Sequence, residues 1–250
     1  MPHVEGAGVA LHYLARGEGP VVVLVHGMAS DARAWKPALA QLADAGLRAI
    51  ALDRRGYGDS GAPEPYAATT VQEQAEDVAA LLSGLGAVPA LLVGEGFGAL
   101  VVLELLVRRP VLSRAAVLAD PPLYAFVPAS ATPALADERS LLEAGLREGG
   151  PGAAVRAWLG EAVVAADDAR TRRAVAAAQG FFADYGGQSS WSPSPGELRA
   201  VRVPLAVVTG PATADHVMEA ADTMARLVRG ATRVLDGDVV GAVLALSLAR

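Results

Sequence analysis

Cysteine is absent from the chain, which excludes disulfides, thiolate metal sites and cysteine nucleophiles. Lysine is nearly absent: of 21 basic residues only Lys36 is a lysine. The net charge is −6 and no basic run exists, so nucleic acid is not an expected partner. The arginine, alanine, glycine and valine bias reads as the imprint of a GC-rich genome rather than of a function. Long hydrophobic runs are missing as well. Val21 to Val25 and Leu100 to Val107 fall far short of the roughly 20 residues that a membrane span needs, so no membrane partner is expected. Met1 to Gly8 carry no basic region followed by an apolar one; no secretory signal is expected, and the cytoplasm is the expected compartment. Metal-ligand spacings are lacking, and Gly94 to Gly98 is too short for G-x-G-x-x-G, so neither a metal nor another cofactor is expected.

What the chain has in quantity is apolar side chains. Hydrophobic residues are 52% of 250, enough for the core of one α/β domain with a modest insertion. Val9, Leu11 and Tyr13 alternate after a Gly6–Gly8 turn and predict an N-terminal antiparallel pair. Val21 to His26, Arg48 to Asp53, Ala90 to Gly94, Arg114 to Asp120, Pro204 to Thr209 and Thr232 to Asp236 read as strands, continuous and apolar as in a buried parallel sheet. Helices are predicted over 31–46, 70–84, 97–109, 217–228 and 241–250; the second opens with a capping box of Thr70 and Glu73, and Pro110 stops the third. Between Tyr124 and Glu197 the alternation gives way to short helical segments, and Gly186 to Pro195 reads as the most flexible loop. Strand–helix alternation implies a mostly parallel sheet with helices on both faces and a ligand site at the carboxyl ends of the strands. Residues 1–123 and 198–250 form the expected core, and 124–197 a helical lid over that edge.

Three motifs lie on the right elements. His26-Gly27-Met28 directly follows a strand; Asp53-Arg54-Arg55-Gly56-Tyr57-Gly58-Asp59-Ser60 follows the next; Gly94-Glu95-Gly96-Phe97-Gly98 joins a strand to a helix. In order and spacing they resemble the oxyanion loop, the D-x-x-G-x-G-x-S turn and the G-x-S-x-G nucleophile elbow of the α/β-hydrolase family. The resemblance implies that fold, with backbone N–H groups of Met28 and Phe97 as oxyanion donors.

It also marks departures. The middle residue of the elbow, where the family has its nucleophile, is Gly96. Reading Glu95 as the middle residue instead loses the flanking glycines to Val93 and Phe97. The family's histidine follows the last strand; here the best match is Val240, with Asp238 as runner-up, and none of His3, His12, His26 and His216 lies there. Asp215 is the nearest match to the acid position. A triad acts as a unit, so hydrolysis through an acyl-enzyme is not expected.

The remaining candidates each carry two readings. Glu95 and Asp120 are either acid/base groups or structural carboxylates, and Tyr124 could bring its hydroxyl to the same place. Ser30, Asp31 and Trp35 line a pocket or serve the fold, Asp31 as a helix N-cap. His216 is a displaced base or a surface histidine. In the lid, Trp158, Phe181, Phe182 and Tyr185 are apolar pocket walls or lid core, and Gly27 lets a ligand approach the backbone. The leading expectation is a non-hydrolytic enzyme: cyclisation, isomerisation or elimination of an apolar small molecule, of the kind found in natural-product tailoring, by the N–H donors and one carboxylate. The alternatives are an inactive ligand-binding or partner protein, and an atypical hydrolase in which Glu95 or Asp120 activates water. A homodimer is compatible with all three.

Overall fold

The computed structural model describes residues 2–248. Eight strands form one sheet in the order β1-β2-β4-β3-β5-β6-β7-β8. They are β1 (His3–Glu5), β2 (Ala10–Arg16), β3 (Val21–Val25), β4 (Arg48–Leu52), β5 (Ala90–Glu95), β6 (Ser113–Ala119), β7 (Leu205–Val208) and β8 (Thr232–Val234). The first two are antiparallel to their neighbours and every later pairing is parallel. Alternate residues of the central strands serve opposite faces. Val23, Val25, Ile50, Leu52, Leu92 and Leu118 pack on the face covered by α2 (Val71–Gly84), α3 (Phe97–Arg108) and α9 (Asp215–Leu227). Val22, Leu24, Ala49, Ala51, Leu91, Val93 and Val117 pack on the face covered by α1 (Lys36–Asp44) and α10 (Val239–Leu248). The chain is thus an α/β-hydrolase fold with a mostly parallel sheet.

Between β6 and β7 run α4 (Pro128–Leu159), α5 (Glu161–Ala166), α6 (Asp168–Ala176), α7 (Ala178–Ser189) and α8 (Pro195–Ala200). The first is two helices in series, broken at Gly149 and Gly150, where Gly150 takes φ 75° ahead of Pro151. These segments share a small core of Leu142, Ala154, Val155, Leu159, Ala174, Ala178 and Phe181, which closes on Ala29 of the oxyanion loop.

Two local expectations are corrected. Gly186 and Gly187 belong to α7 rather than to a loop, because Gly187 lies against the Thr69 carbonyl, where a Cβ would come within 2.6 Å, and Gln188 is buried. Thr70 caps α2 by accepting from the Glu73 N–H (3.0 Å), but Glu73 does not complete a capping box; its carboxylate takes the Thr69 hydroxyl and the Arg55 guanidinium. The complete box is at Ser194 and Glu197, opening α8.

Candidate active site

The elbow is a backbone construction. Gly96 stands between β5 and α3 at φ 53°, ψ −120°, a region that glycine enters at little cost. Its N–H donates to the Ala119 carbonyl (2.9 Å) and its own carbonyl accepts from Ala99 (2.9 Å). The strand and helix meet closely: a Cβ on Gly94 would stand 2.3 Å from the Gly98 carbonyl oxygen. A Cβ on Gly96 would meet only the Gly27 Cα, at 3.7 Å, so there is room for a side chain where there is none. Phe97 is the first residue of α3, so its N–H has no intrahelical partner.

The oxyanion loop is pinned by two buried side chains, His26 and Arg54. His26 Nδ1 donates to the Gly27 carbonyl (2.7 Å) and its Nε2 accepts from the Arg54 N–H (3.0 Å). Arg54 donates through Nη2 to the same carbonyl (2.9 Å) and through Nε to the His26 carbonyl (2.8 Å). In a trans peptide the N–H points away from the C=O. Fixing the Gly27 oxygen from two sides therefore fixes the direction of the Met28 N–H. Burial and the Arg54 charge hold the His26 imidazolium disfavoured, so this histidine is a neutral clamp and no general base. Arg54 is itself held from the lid. Asp184 of α7 accepts from Arg54 Nη2, Tyr57 Oη and Gln74 Nε2, each at 2.7 Å, and all four side chains are buried.

Above the elbow lies a cavity of about 200 Å³ whose walls include Gly27, Met28, Gly96, Phe97, Glu95 and Asp120, with Tyr124, Trp158, Arg170 and Gln188 from the lid side. It joins a chamber of about 310 Å³ through Ser30, Glu95, Asp120 and Arg170, which line both; Trp35, Gly237 and Val239 complete the second. Through Tyr124, Pro122 and Gln188 it also adjoins a larger chamber of about 840 Å³, walled by Tyr185, Leu135 and Trp191.

Glu95 and Asp120 end neighbouring strands, with Glu95 in register with Ala119. Burial, and the Asp120 charge beside it, raise the Glu95 carboxyl above its ordinary range, and the Arg170 guanidinium partly offsets this. Asp120 sits at φ 46° and accepts from Thr213 Oγ1 (2.6 Å), which itself accepts from the Gly210 N–H (2.8 Å). The hydroxyl of Tyr124 is pushed above its ordinary range, chiefly by burial, and its ring lies 5.5 Å from that of His216.

The structure thus brings Glu95, Asp120, Tyr124, Gly27, Met28, Phe97, Ser30, Trp35 and Trp158 to connected cavities. Asp31 lines an adjoining cavity with Ser30 and Arg170, Tyr185 lines the largest chamber, and the rest fall outside. Asp31 caps the 3-10 turn at Ala32 by accepting from the Arg33 N–H (2.9 Å), and pairs with Arg173 of the lid. Phe181 is wholly buried in the lid's own core, where Trp158 and Phe182 pack edge-on against it, and Phe182 belongs to the same cluster. Asp215 opens α9 on the surface and is not among the residues that line these cavities. Val240, in the first turn of α10, is half-buried against the core; Gly237 and Val239 are the residues of that turn on a cavity wall. Arg170, Thr213 and Gln188 are site residues that sequence reading missed. None stands in a motif, and only the folded lid and the β7–α9 turn bring them in.

The alpha/beta hydrolase family model matches residues 22–240. Epoxide hydrolase A of Mycobacterium tuberculosis (strain ATCC 25618 / H37Rv) is 41% identical over 101 residues, 40% of this chain and 31% of that protein, so the chain spans under a third of that relative. Over the whole chain the resemblance is of fold. An alpha/beta hydrolase from Sphaerobacter thermophilus DSM 20745 superposes with a TM-score of 0.77 at 24% identity, covering 97% of this chain and 98% of that one. The enol-lactonase of Burkholderia xenovorans LB400 does so with 0.73 at 20% identity, covering 98% and 97%. These likenesses overturn the expected cyclisation, isomerisation or elimination: the proteins that this chain resembles are named as hydrolases. The chain, matched by the model over most of its length, belongs to the alpha/beta hydrolase family.

Proposed function

We propose that the protein hydrolyses a small ester or epoxide by direct attack of water, with Glu95 as general base. The observation that carries this is the meeting of Glu95 and Asp120 in the cavity that Gly96 and the two N–H donors also line. Gly96 can form no covalent intermediate, and with Glu95 assigned as the base the nucleophile is assigned to water. Water attacks the electrophilic carbon, Glu95 takes its proton, the C–O bond breaks, and the departing oxygen regains a proton. The Met28 and Phe97 N–H groups stabilise the oxygen that gathers charge. A carboxyl raised by burial is the stronger base once ionised. Asp120, steadied by Thr213, keeps that affinity high and orients the water. The names of the relatives support ester or epoxide chemistry over other hydrolyses.

A panel of aryl esters, lactones and aryl epoxides tests this, with single-turnover reactions in ¹⁸O water. The expected result is hydrolysis with the label wholly in product from the first turnover and none in the protein. Glu95→Gln should lower kcat by roughly 10² or more. Absence of turnover across the panel, or turnover that Glu95→Gln leaves intact, refutes the assignment; the former outcome would favour a ligand-binding protein.

A further inference from the structure

Three arginines approach the cavities from the lid and the oxyanion side, and two are spoken for. Arg173 pairs with Asp31, and Arg33 with Asp59 (2.7 Å). Arg170, in the first turn of α6, forms no ion pair and no guanidinium hydrogen bond with any described residue, and its buried Nε has no partner. Only its backbone N–H is taken, by the Asp167 carboxylate (2.8 Å). The side chain is half-buried and lines the elbow cavity, the 310 Å³ chamber and a third cavity beside Asp31. A partly desolvated guanidinium whose N–H donors bind no carboxylate directly is a recognition group for a planar oxyanion, which it can grip with two parallel N–H donors.

We propose that Arg170 is a specificity-determining residue that binds a carboxylate on the substrate, making the substrate of the hydrolysis proposed above an ester or epoxide that carries a free carboxylate. The assignment of this ligand to a substrate rests on the hydrolase reading; the anion site itself does not. The groups facing Arg170 across the cavities are Glu95 and Asp120 from the strand ends, Tyr124 with His216 behind it, Asp31 with its partner Arg173, Arg33 with its partner Asp59, and Asp167 on its own turn. Arg170 is the cation that opposes the raised proton affinity of Glu95. The negative charge of a carboxylate on Arg170 cancels that cation's field at Glu95, so its binding favours the protonated Glu95. Anion affinity therefore rises as pH falls through the Glu95 titration.

Acetate is the probe, titrated into the full chain by NMR or calorimetry without any turnover, with methylammonium in parallel. The expected result is saturable acetate binding that tightens on acidification and weakens roughly tenfold or more in Arg170→Met, with partial recovery in Arg170→Lys. Both variants should melt close to the parent at low pH, since the Arg170 side chain makes no hydrogen bond or ion pair with any described residue and Glu95 is then protonated. Failure of the parent to bind acetate, equal binding by Arg170→Met, or affinity that grows with pH overturns the proposal. So does binding of methylammonium in place of acetate, which would make Glu95 and Asp120 a cation site. A protein that binds acetate in this way yet hydrolyses nothing sinks the hydrolase reading and leaves the anion site standing.

Discussion

Replacing Asp184 by alanine should cost the fold more than any other single change in the lid. The carboxylate is wholly buried and receives three donors at 2.7 Å, one of them the buried guanidinium of Arg54. Arg54 keeps its bonds to Gln74 and to the His26 and Gly27 carbonyls, all neutral acceptors. Its charge then has no counter-ion in the interior. Breaking one side of a buried pair in this way typically costs about 3–5 kcal/mol. The orphaned Tyr57 hydroxyl and Gln74 amide add to this, but not fully, because a small void lets them relax or admit water; about 4 kcal/mol is the expected loss. Against a total of about 5–15 kcal/mol, that is a large fraction. Urea melts should show the midpoint falling with an unchanged slope. Replacing both partners, Arg54→Met with Asp184→Leu, should be less destabilising than Asp184→Ala alone, since no unpaired charge remains. A loss below about 1 kcal/mol in Asp184→Ala would refute the claim that this pair locks the lid to the oxyanion loop.

Gly96→Ala should destabilise by about 1–3 kcal/mol from its positive φ alone, because its Cβ meets nothing closer than 3.7 Å; a larger loss in thermal melts would reveal a clash that the geometry lacks. Glu95 should impose its raised titration on activity, with the rate falling on acidification at a pH above the ordinary carboxylate range, read from a kcat/KM profile. The same shift has the opposite sign for stability: the ionised form is penalised in the folded state, so the parent loses stability as pH rises from the unfolded to the folded Glu95 value. Glu95→Gln should therefore match the parent at low pH and exceed it at pH 8. His26 runs the other way: its folded value is depressed, so its contribution is present above the unfolded value of about 6.5 and is lost as pH falls, a slope that His26→Asn should lack in urea melts across pH 7.5 to 5.

The sheet was legible because buried parallel strands announce themselves as short apolar runs, and each of the six core strands lies within a residue or two of its expected place. The elbow was legible because its glycines answer to backbone crowding, which is local. The lock on the oxyanion loop was not. Arg54 and Asp184 lie 130 residues apart, and Gln74 and Asp184 lie 110 apart, so no window of sequence contains the pair. Arg170 was hidden for a different reason. It is one of twenty arginines, and what distinguishes it is a buried, unpartnered Nε together with a place on the walls of the site cavities, which only the fold reveals. Gly186 and Gly187 misled because two adjacent glycines suggest a loop, whereas Gly187 is there to let α7 press on the Thr69 carbonyl.

The shape of the elbow owes nothing to the side chain at its centre. It is set by the Gly96 bonds to Ala119 and Ala99 and by the close approach of Gly94 to Gly98, all of them backbone contacts. A nucleophile can therefore be deleted at this position without disturbing the turn or the direction of the Phe97 N–H. The Met28 N–H is likewise aimed by His26 and Arg54 rather than by anything in the cavity. Fold and donor geometry are thus separable from reaction type here, which is why motifs that identify the family leave the chemistry open. What must decide the chemistry is the set of groups that the frame does not use. Asp53, Asp77 and Asp184 are all consumed in holding backbone or arginine. The Glu95 carboxylate makes no hydrogen bond within the described residues, and the Asp120 carboxylate accepts only from Thr213 among them, through one oxygen. Arg170 faces them unpaired. Two carboxylates and one arginine on the wall of the cavity that Met28 and Phe97 also line suit the proposed addition of water to an anionic electrophile better than the clamping of an apolar ligand, because a purely apolar ligand would desolvate the three charged groups without offering them a hydrogen bond.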